Sequence, residues 1–226
     1  MVKWEQTCRA VIPCLNEADR IGQLVQKVQA FLPNVLVVDD GSTDRTSELA
    51  RAAGADVLRH NTPQGKGAAL QAGWRRSMDD GYEWALCMDG DGQHAPADIP
   101  AFLKHAEAER SSLVVGNRMD RVGSMPRLRR WTNRFMSWRL SRLAGQPLPD
   151  TQCGYRLMNL LAWSGVTLST VHFEMESELL IAFAQAGHRI GFVPVQIIYG
   201  DERSKIHPVR DAIRWFLWLR RWQRGM

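Results

Sequence analysis

Between residues 8 and about 115, short apolar runs alternate with stretches in which apolar positions recur every three to four residues. Such alternation is the signature of repeated βα units around a mainly parallel sheet, so an α/β fold is expected. The runs predict strands at Arg9–Ile12, Val35–Val38, Asp56–Leu58, Trp84–Met88 and Leu113–Val115. The periodic stretches predict helices at Ala18–Phe31, Thr43–Ala53, Lys66–Met78 and Ala97–Ala108, with Ser42 as an N-cap and Gly54 as a helix stop. Beyond residue 120 the alternation ceases. An Arg- and Trp-rich helix is expected over about Pro126–Leu143, followed by a Pro/Gly hinge and a helix over Glu174–Ala186 that Gly187 ends. Two short strands, Arg189–Val193 and Gln196–Ile198, and a last helix from Pro208 complete the pattern, without repeats or low-complexity tracts.

At 226 residues, with 45% hydrophobic and 23% charged positions, the chain has the size and balance of one folded domain, divisible near residue 120 into halves 8–120 and 121–226. No stretch approaches the roughly 18 apolar residues of a membrane span, and Met1-Val2-Lys3-Trp4-Glu5 lacks a signal-peptide core, so a cytoplasmic location is expected. The four cysteines, at positions 8, 14, 87 and 153, have neither metal-ligand spacing nor the density of a disulfide framework. They are expected as reduced, buried thiols. The net charge of +5 is unevenly spread: residues 121–149 hold seven Arg and no acid, and residues 203–226 hold seven basic residues against Asp211 alone. One face is therefore expected to meet something anionic.

The candidate chemistry lies at the predicted strand ends. Cys87-Met88-Asp89-Gly90-Asp91-Gly92-Gln93-His94 follows the run Trp84–Met88, and ligands of open α/β sheets bind beyond the carboxyl ends of the strands. Two Asp separated by one Gly can converge on a hard cation, and Gly90 and Gly92 allow close backbone approach to phosphate. Mg2+ or Mn2+ bridging a diphosphate there would neutralise charge on a leaving nucleotide. Ile12-Pro13-Cys14-Leu15-Asn16-Glu17 and Val37-Val38-Asp39-Asp40-Gly41-Ser42-Thr43-Asp44 bring further acidic and amide groups to the same expected edge. Lys66, between two glycines, does not complete an ATP-binding P-loop, because Asn61 stands in the place of the first Gly and Ala68-Ala69 follow Gly67. His94, Cys87 and Cys153 are expected to be structural, since hard oxygen ligands suit these cations.

These segments, with Gly65-Lys66-Gly67, Gly116-Asn117-Arg118, Asp150-Thr151-Gln152-Cys153-Gly154-Tyr155-Arg156 and Arg203-Ser204-Lys205, run in the order found in glycosyltransferase family 2. Over about residues 8–206 the chain resembles that family's dolichol- and polyprenol-phosphate mannosyl- and glucosyltransferases. The resemblance implies a GT-A fold: a Rossmann-like mixed, mainly parallel sheet flanked by helices, with residues 8–120 as the nucleotide-sugar half and 121–226 as the acceptor half. It implies an inverting transfer of a hexose from a UDP- or GDP-sugar to a polyprenyl phosphate. Pro13, Leu15, Asn16, Glu17, Asp39, Gly41, Ser42, Lys66, Asp89, Gly90 and Asp91 would meet the donor, and Asp89, Asp91 and Gln93 the metal. Leu15 stands where many relatives carry an aromatic residue, so both bases remain in view. Arg118, Arg203 and Lys205 would act with Asp91 in catalysis, and Arg118, Arg130, Arg134, Gln152, Arg156 and Glu176 would lie on the acceptor side. Arg forks pairing phosphate oxygens, with Lys as a point charge, suit those roles chemically.

Leu128, Trp131, Phe135 and Trp138 recur at helical spacing beside Arg127, Arg130 and Arg134. The last helix sets Arg210, Arg214, Arg221 and Arg224 against Ala212, Trp215, Phe216, Leu219 and Trp222. Such basic amphipathic helices can rest on a membrane or close a core. A peripheral place on the inner face of the cytoplasmic membrane is expected. Nucleic acid is not, since no recognition motif accompanies the arginines. Asp150 and Glu176 are candidate bases should the acceptor be a hydroxyl, which is the alternative within the same family. A membrane-associated nucleotide-sugar-binding protein without turnover is a further alternative, and homo-oligomerisation stays open.

Overall fold

The computed structural model describes residues 2–119, 127–172, 174–196, 198 and 208–224. Strands β1 (Cys8–Cys14), β2 (Val35–Asp39), β3 (Asp56–Arg59), β4 (Trp84–Cys87), β5 (Leu113–Asn117), β6 (Arg156–Asn159) and β7 (Ile190–Pro194) form one sheet in the order β3-β2-β1-β4-β6-β5-β7. Helices α1 (Trp4–Thr7), α2 (Ala18–Gln29), α3 (Thr46–Ala52), α4 (Lys66–Asp79), α5 (Ile99–Glu109), α6 (Arg127–Ala144), α7 (Leu160–Ser164), α8 (Met175–Gln185) and α9 (Pro208–Arg224) connect and flank it. The central strands β2 and β5 are buried at every residue, which is why they read as continuous apolar runs. The edge strand β3 is half-exposed.

The sheet is parallel except around β6, which runs antiparallel to both β4 and β5. That reversal positions the site. Arg156, the first residue of β6, pairs with Cys87 at the carboxyl end of β4 and with Val115 near the end of β5. The segment 150–155 therefore arrives at the edge from which residues 88–94 and 116–118 leave. Cys14 pairs with Asp39, so the loops after β1 and β2 open side by side at that same edge. Large apolar side chains buried to under 2% exposure, among them Ile12, Trp74, Leu86, Phe102 and Phe183, fix the sheet against its helices. Burial of each contributes about 1.5–3 kcal/mol.

Several expectations need correction. Strand β6 and helix α7 carry no period long enough to have been legible. Gln196 and Ile198 are not in a strand, and residue 197 lies outside the described residues. Ser42 does not cap α3, which begins at Thr46; Asp44 accepts the Thr46 amide at 3.0 Å instead. Gly54 and Gly187 do follow helix ends, at φ 90° and 76°.

The aromatic stripe of α6, open in the sequence between a membrane-facing and a core-closing role, faces outward: Trp131, Phe135 and Trp138 are exposed, while Asn133, Ser137 and Leu140 face inward. In α9 the stripe divides. Trp215, Trp218 and Leu219 are buried, and Ile213, Phe216 and Leu217 are exposed. Among the described residues no helix is long and apolar enough to cross a membrane.

Candidate active site

The loops after β1 and β2 are latched to each other. Asn16, at φ 54°, donates its amide to Ser42 Oγ at 2.9 Å, and its side-chain oxygen accepts the Thr43 amide at 2.8 Å. The Glu17 amide donates to Thr46 Oγ1 at 2.8 Å. Asp39 is fully buried, accepting the Ser42 amide at 2.7 Å and the Ser47 hydroxyl. Burial alone would raise its carboxyl, but the hydrogen bonds from Ser42 and Ser47 and the charge of Arg59 outweigh it and hold it low. Its carboxylate therefore shapes the loop. Asp40 orders the approach to α4, accepting the amides of Gln64 at 2.9 Å and Gly65 at 2.8 Å. Pro13 and Leu15 are half-exposed at this edge.

Lys66, the first residue of α4, reaches across the edge to two acids. Its Nζ lies 2.6 Å from Asp89 Oδ1 and 2.7 Å from Glu176 Oε1. Burial would lower its proton affinity, but the carboxylates of Asp89 and Glu176 hold it above the ordinary lysine value. Asp89 in turn is held far below the carboxylate range: burial opposes ionisation, and the Lys66 ammonium and then His94 overcome it. Asp91 shifts the other way, raised by burial and by the repulsion of Asp89. Its Oδ1 accepts the Gln93 amide at 3.0 Å. His94 is buried, tilted against Tyr155 at 4.9 Å between ring centroids, with Nε2 3.6 Å from Asp89 Oδ2.

Three glycines make this approach feasible. A Cβ on Gly154 would lie 2.9 Å from Lys66 Nζ and 3.0 Å from both Asp89 oxygens. One on Gly90 would lie 2.5 Å from Cys14 Sγ, and one on Gly67 would lie 2.6 Å from the Val171 carbonyl. The Val171 segment is itself anchored by Glu178, whose carboxylate accepts the amides of Ser169 at 3.0 Å and Thr170 at 2.9 Å. Neither Gly154 nor Glu178 was singled out from the sequence. The glycine stood inside a matching motif, whereas Glu178 meets its partners only through packing.

On the other side of β6, Arg118 is buried against Asp150. Its Nε and Nη2 donate to the two carboxylate oxygens at 2.7 and 2.9 Å, and its amide donates at 3.0 Å. Burial would raise Asp150, but Arg118 and Asn133 outweigh it and hold it low. Asn133 of α6 donates to Asp150 at 3.0 Å, and Ser137 donates to Asn133 at 3.1 Å. Gln152 and Trp215 of α9 both donate to Ser177 Oγ, at 3.2 and 3.0 Å. Arg156 is buried and turned onto the carbonyls of Cys153 at 2.8 Å, Thr151 at 3.1 Å and Glu176 at 2.7 Å. It fastens the segment 150–155 to α8. Arg130 and Arg134 are exposed on α6. Arg203 and Lys205 lie outside the described residues.

Among the described residues no three His, Cys, Asp or Glu groups are gathered into a metal cage. A Mg2+-type site needs only one or two carboxylates, with diphosphate oxygens completing the shell. Asp89 and Asp91 fit that demand: burial and the repulsion of Asp89 raise Asp91, and Gly154 sets no Cβ against the Asp89 oxygens. The thiols do not fit, since burial pushes Cys87 and Cys153 each up to about 12.

A mixed, mainly parallel sheet with its loops gathered at one carboxyl edge and an acidic pair after its fourth strand defines a GT-A type fold. The chain belongs to the family described as glycosyl transferase family 2, whose profile matches residues 10–160. It is 29% identical over 237 residues to the undecaprenyl-phosphate mannosyltransferase of Micrococcus luteus, covering 94% of this chain and 95% of the relative.

 It is 27% identical over 214 residues to the UDP-N-acetylglucosamine–dolichyl-phosphate N-acetylglucosaminyltransferase of Methanococcus voltae, covering 84% of this chain and 85% of the relative. Among solved structures it is similar to glucosyl-3-phosphoglycerate synthase from Mycobacterium tuberculosis in complex with Mn2+, UDP and phosphoglyceric acid. The TM-score is 0.70 at 21% identity, covering 92% of this chain and 74% of that one, and the likeness is one of fold.

Proposed function

We propose that this chain transfers a hexose, with inversion, from a UDP- or GDP-sugar to a polyprenyl phosphate at a membrane surface. The observation that carries this reading is the convergence of Asp89, Asp91 and Lys66 at the edge where Arg118 is held by Asp150. Bound at Asp89 and Asp91, with Gln93 nearby, Mg2+ or Mn2+ would neutralise charge on the departing diphosphate. Lys66 adds a point charge beside that group, and the latched loops after β1 and β2 would receive the nucleoside. Asp150 holds the guanidinium of Arg118 in a fixed orientation at the acceptor side.

A phosphate acceptor is favoured by the state of the two candidate bases. Asp150 is paired with Arg118 and Glu176 with Lys66, so each faces a cation rather than an open proton path. A lipid phosphate is already an anion and needs no base, whereas a hydroxyl does. The names of the Micrococcus and Methanococcus relatives support the same acceptor class. The outward aromatics of α6 and α9, bordered by Arg130, Arg134, Arg220 and Arg221, suit the boundary of an anionic membrane.

Nucleotide release from a panel of UDP- and GDP-sugars, with and without Mg2+ or Mn2+ and a short polyprenyl phosphate, tests the reading. Release is expected to require one donor, the cation and the lipid, and to vanish in Asp91→Asn. Release that ignores the lipid would move the search to hydroxyl acceptors, and undiminished turnover in Asp91→Asn would remove that residue from the mechanism.

A further inference from the structure

A cation held at Asp89 would compete with the Lys66 ammonium for that carboxylate. The ammonium lies 2.6 Å from Asp89 Oδ1, and Mg2+ or Mn2+ binds carboxylate oxygen at about 2.1 Å, so the two on one oxygen would be no more than about 5 Å apart. Their repulsion would be weakly screened in this half-buried site. Glu176 offers the ammonium a second carboxylate at 2.7 Å on the other side, and Arg156 fixes the Glu176 backbone by donating to its carbonyl at 2.7 Å. Gly154 has no Cβ to separate Lys66 from Asp89, so the pair is built into the fold.

We propose that Lys66 is an internal counter-ion that occupies Asp89 in the metal-free protein and yields to the metal by moving toward Glu176 and the donor diphosphate. This rests on reading Asp89 and Asp91 as cation ligands. Metal alone must displace the ammonium from Asp89. Metal with a nucleoside diphosphate gives the ammonium new phosphate partners, so the two ligands bind with positive linkage. Glu176 is thereby a positioning residue for Lys66 and not a base.

Mn2+ binding, measured by calorimetry or by electron paramagnetic resonance of the free ion, tests this without any transfer step. Lys66→Met is expected to bind Mn2+ alone several-fold more tightly than wild type, and to show a smaller gain in Mn2+ affinity on adding UDP or GDP. Glu176→Gln, nearly isosteric, is expected to bind Mn2+ alone more weakly, because Lys66 loses its alternative partner. Circular dichroism and thermal melting check that each variant folds; if Lys66→Met does not, the sign of the Glu176→Gln effect still decides. Equal or weaker Mn2+ binding by folded Lys66→Met, or equal or tighter binding by Glu176→Gln, overturns the inference alone. An absence of Mn2+ binding in every form overturns it together with the cation reading.

Discussion

Gly154 lies against the Lys66–Asp89 ion pair, and the missing Cβ is what lets the two side chains meet beside it. Gly154→Ala is expected to keep the fold, since Gly154 has no positive φ to defend, and to shift Lys66 or Asp89 by a fraction of their contact distance. Misplacement on the order of 1 Å at a reacting centre costs about 10²-fold, so kcat/KM should fall by about that factor while the melting temperature changes little. Steady-state kinetics beside a thermal melt checks this, and kinetics like those of wild type would show that the close approach is dispensable. The sequence made Asp89, Asp91 and Lys66 legible because their motifs are local. It read Glu176 as an acceptor-side acid and candidate base without its partner Lys66, and left Glu178 unnoticed, because their partners lie about a hundred residues away or across an irregular loop.

At the scale of elements, α6 reverses the usual arrangement. Its inner face carries Asn133 and Ser137, bonded to Asp150 and Thr151, and its outer face carries Trp131 at 76% and Trp138 at 50% exposure. The periodicity was legible in the sequence, but which stripe faced inward was not, since that depends on the buried acid Asp150 needing donors. The outer stripe continues through Phe135, which lies 6.3 Å from Phe216 of α9 between ring centroids. Flotation with anionic vesicles is expected, weakened by salt through the flanking arginines. Trp131→Ala with Trp138→Ala should weaken vesicle partitioning by at least about tenfold, given about 1.5–3 kcal/mol for burying one large apolar side chain. Flotation unchanged by the double substitution would contradict a membrane role for this face.

Across the whole molecule, the antiparallel strand β6 joins the two sides of the site. The loop that leads into it carries Gly154 to Asp89 on one side and Asp150 to Arg118 on the other, so the two ion pairs share one loop. The parallel part of the sheet was legible from alternating runs; β6 was not, because four residues carry too little pattern to separate strand from turn. The most direct measurement of the central claim is the mass of a short polyprenyl phosphate after incubation with the nucleotide sugar that the release assay selects and Mn2+. The lipid is expected to gain the mass of one sugar residue and keep its single phosphate, and to remain unchanged with Asp91→Asn. Release of nucleoside diphosphate by the wild-type protein with no change in the lipid would contradict the account.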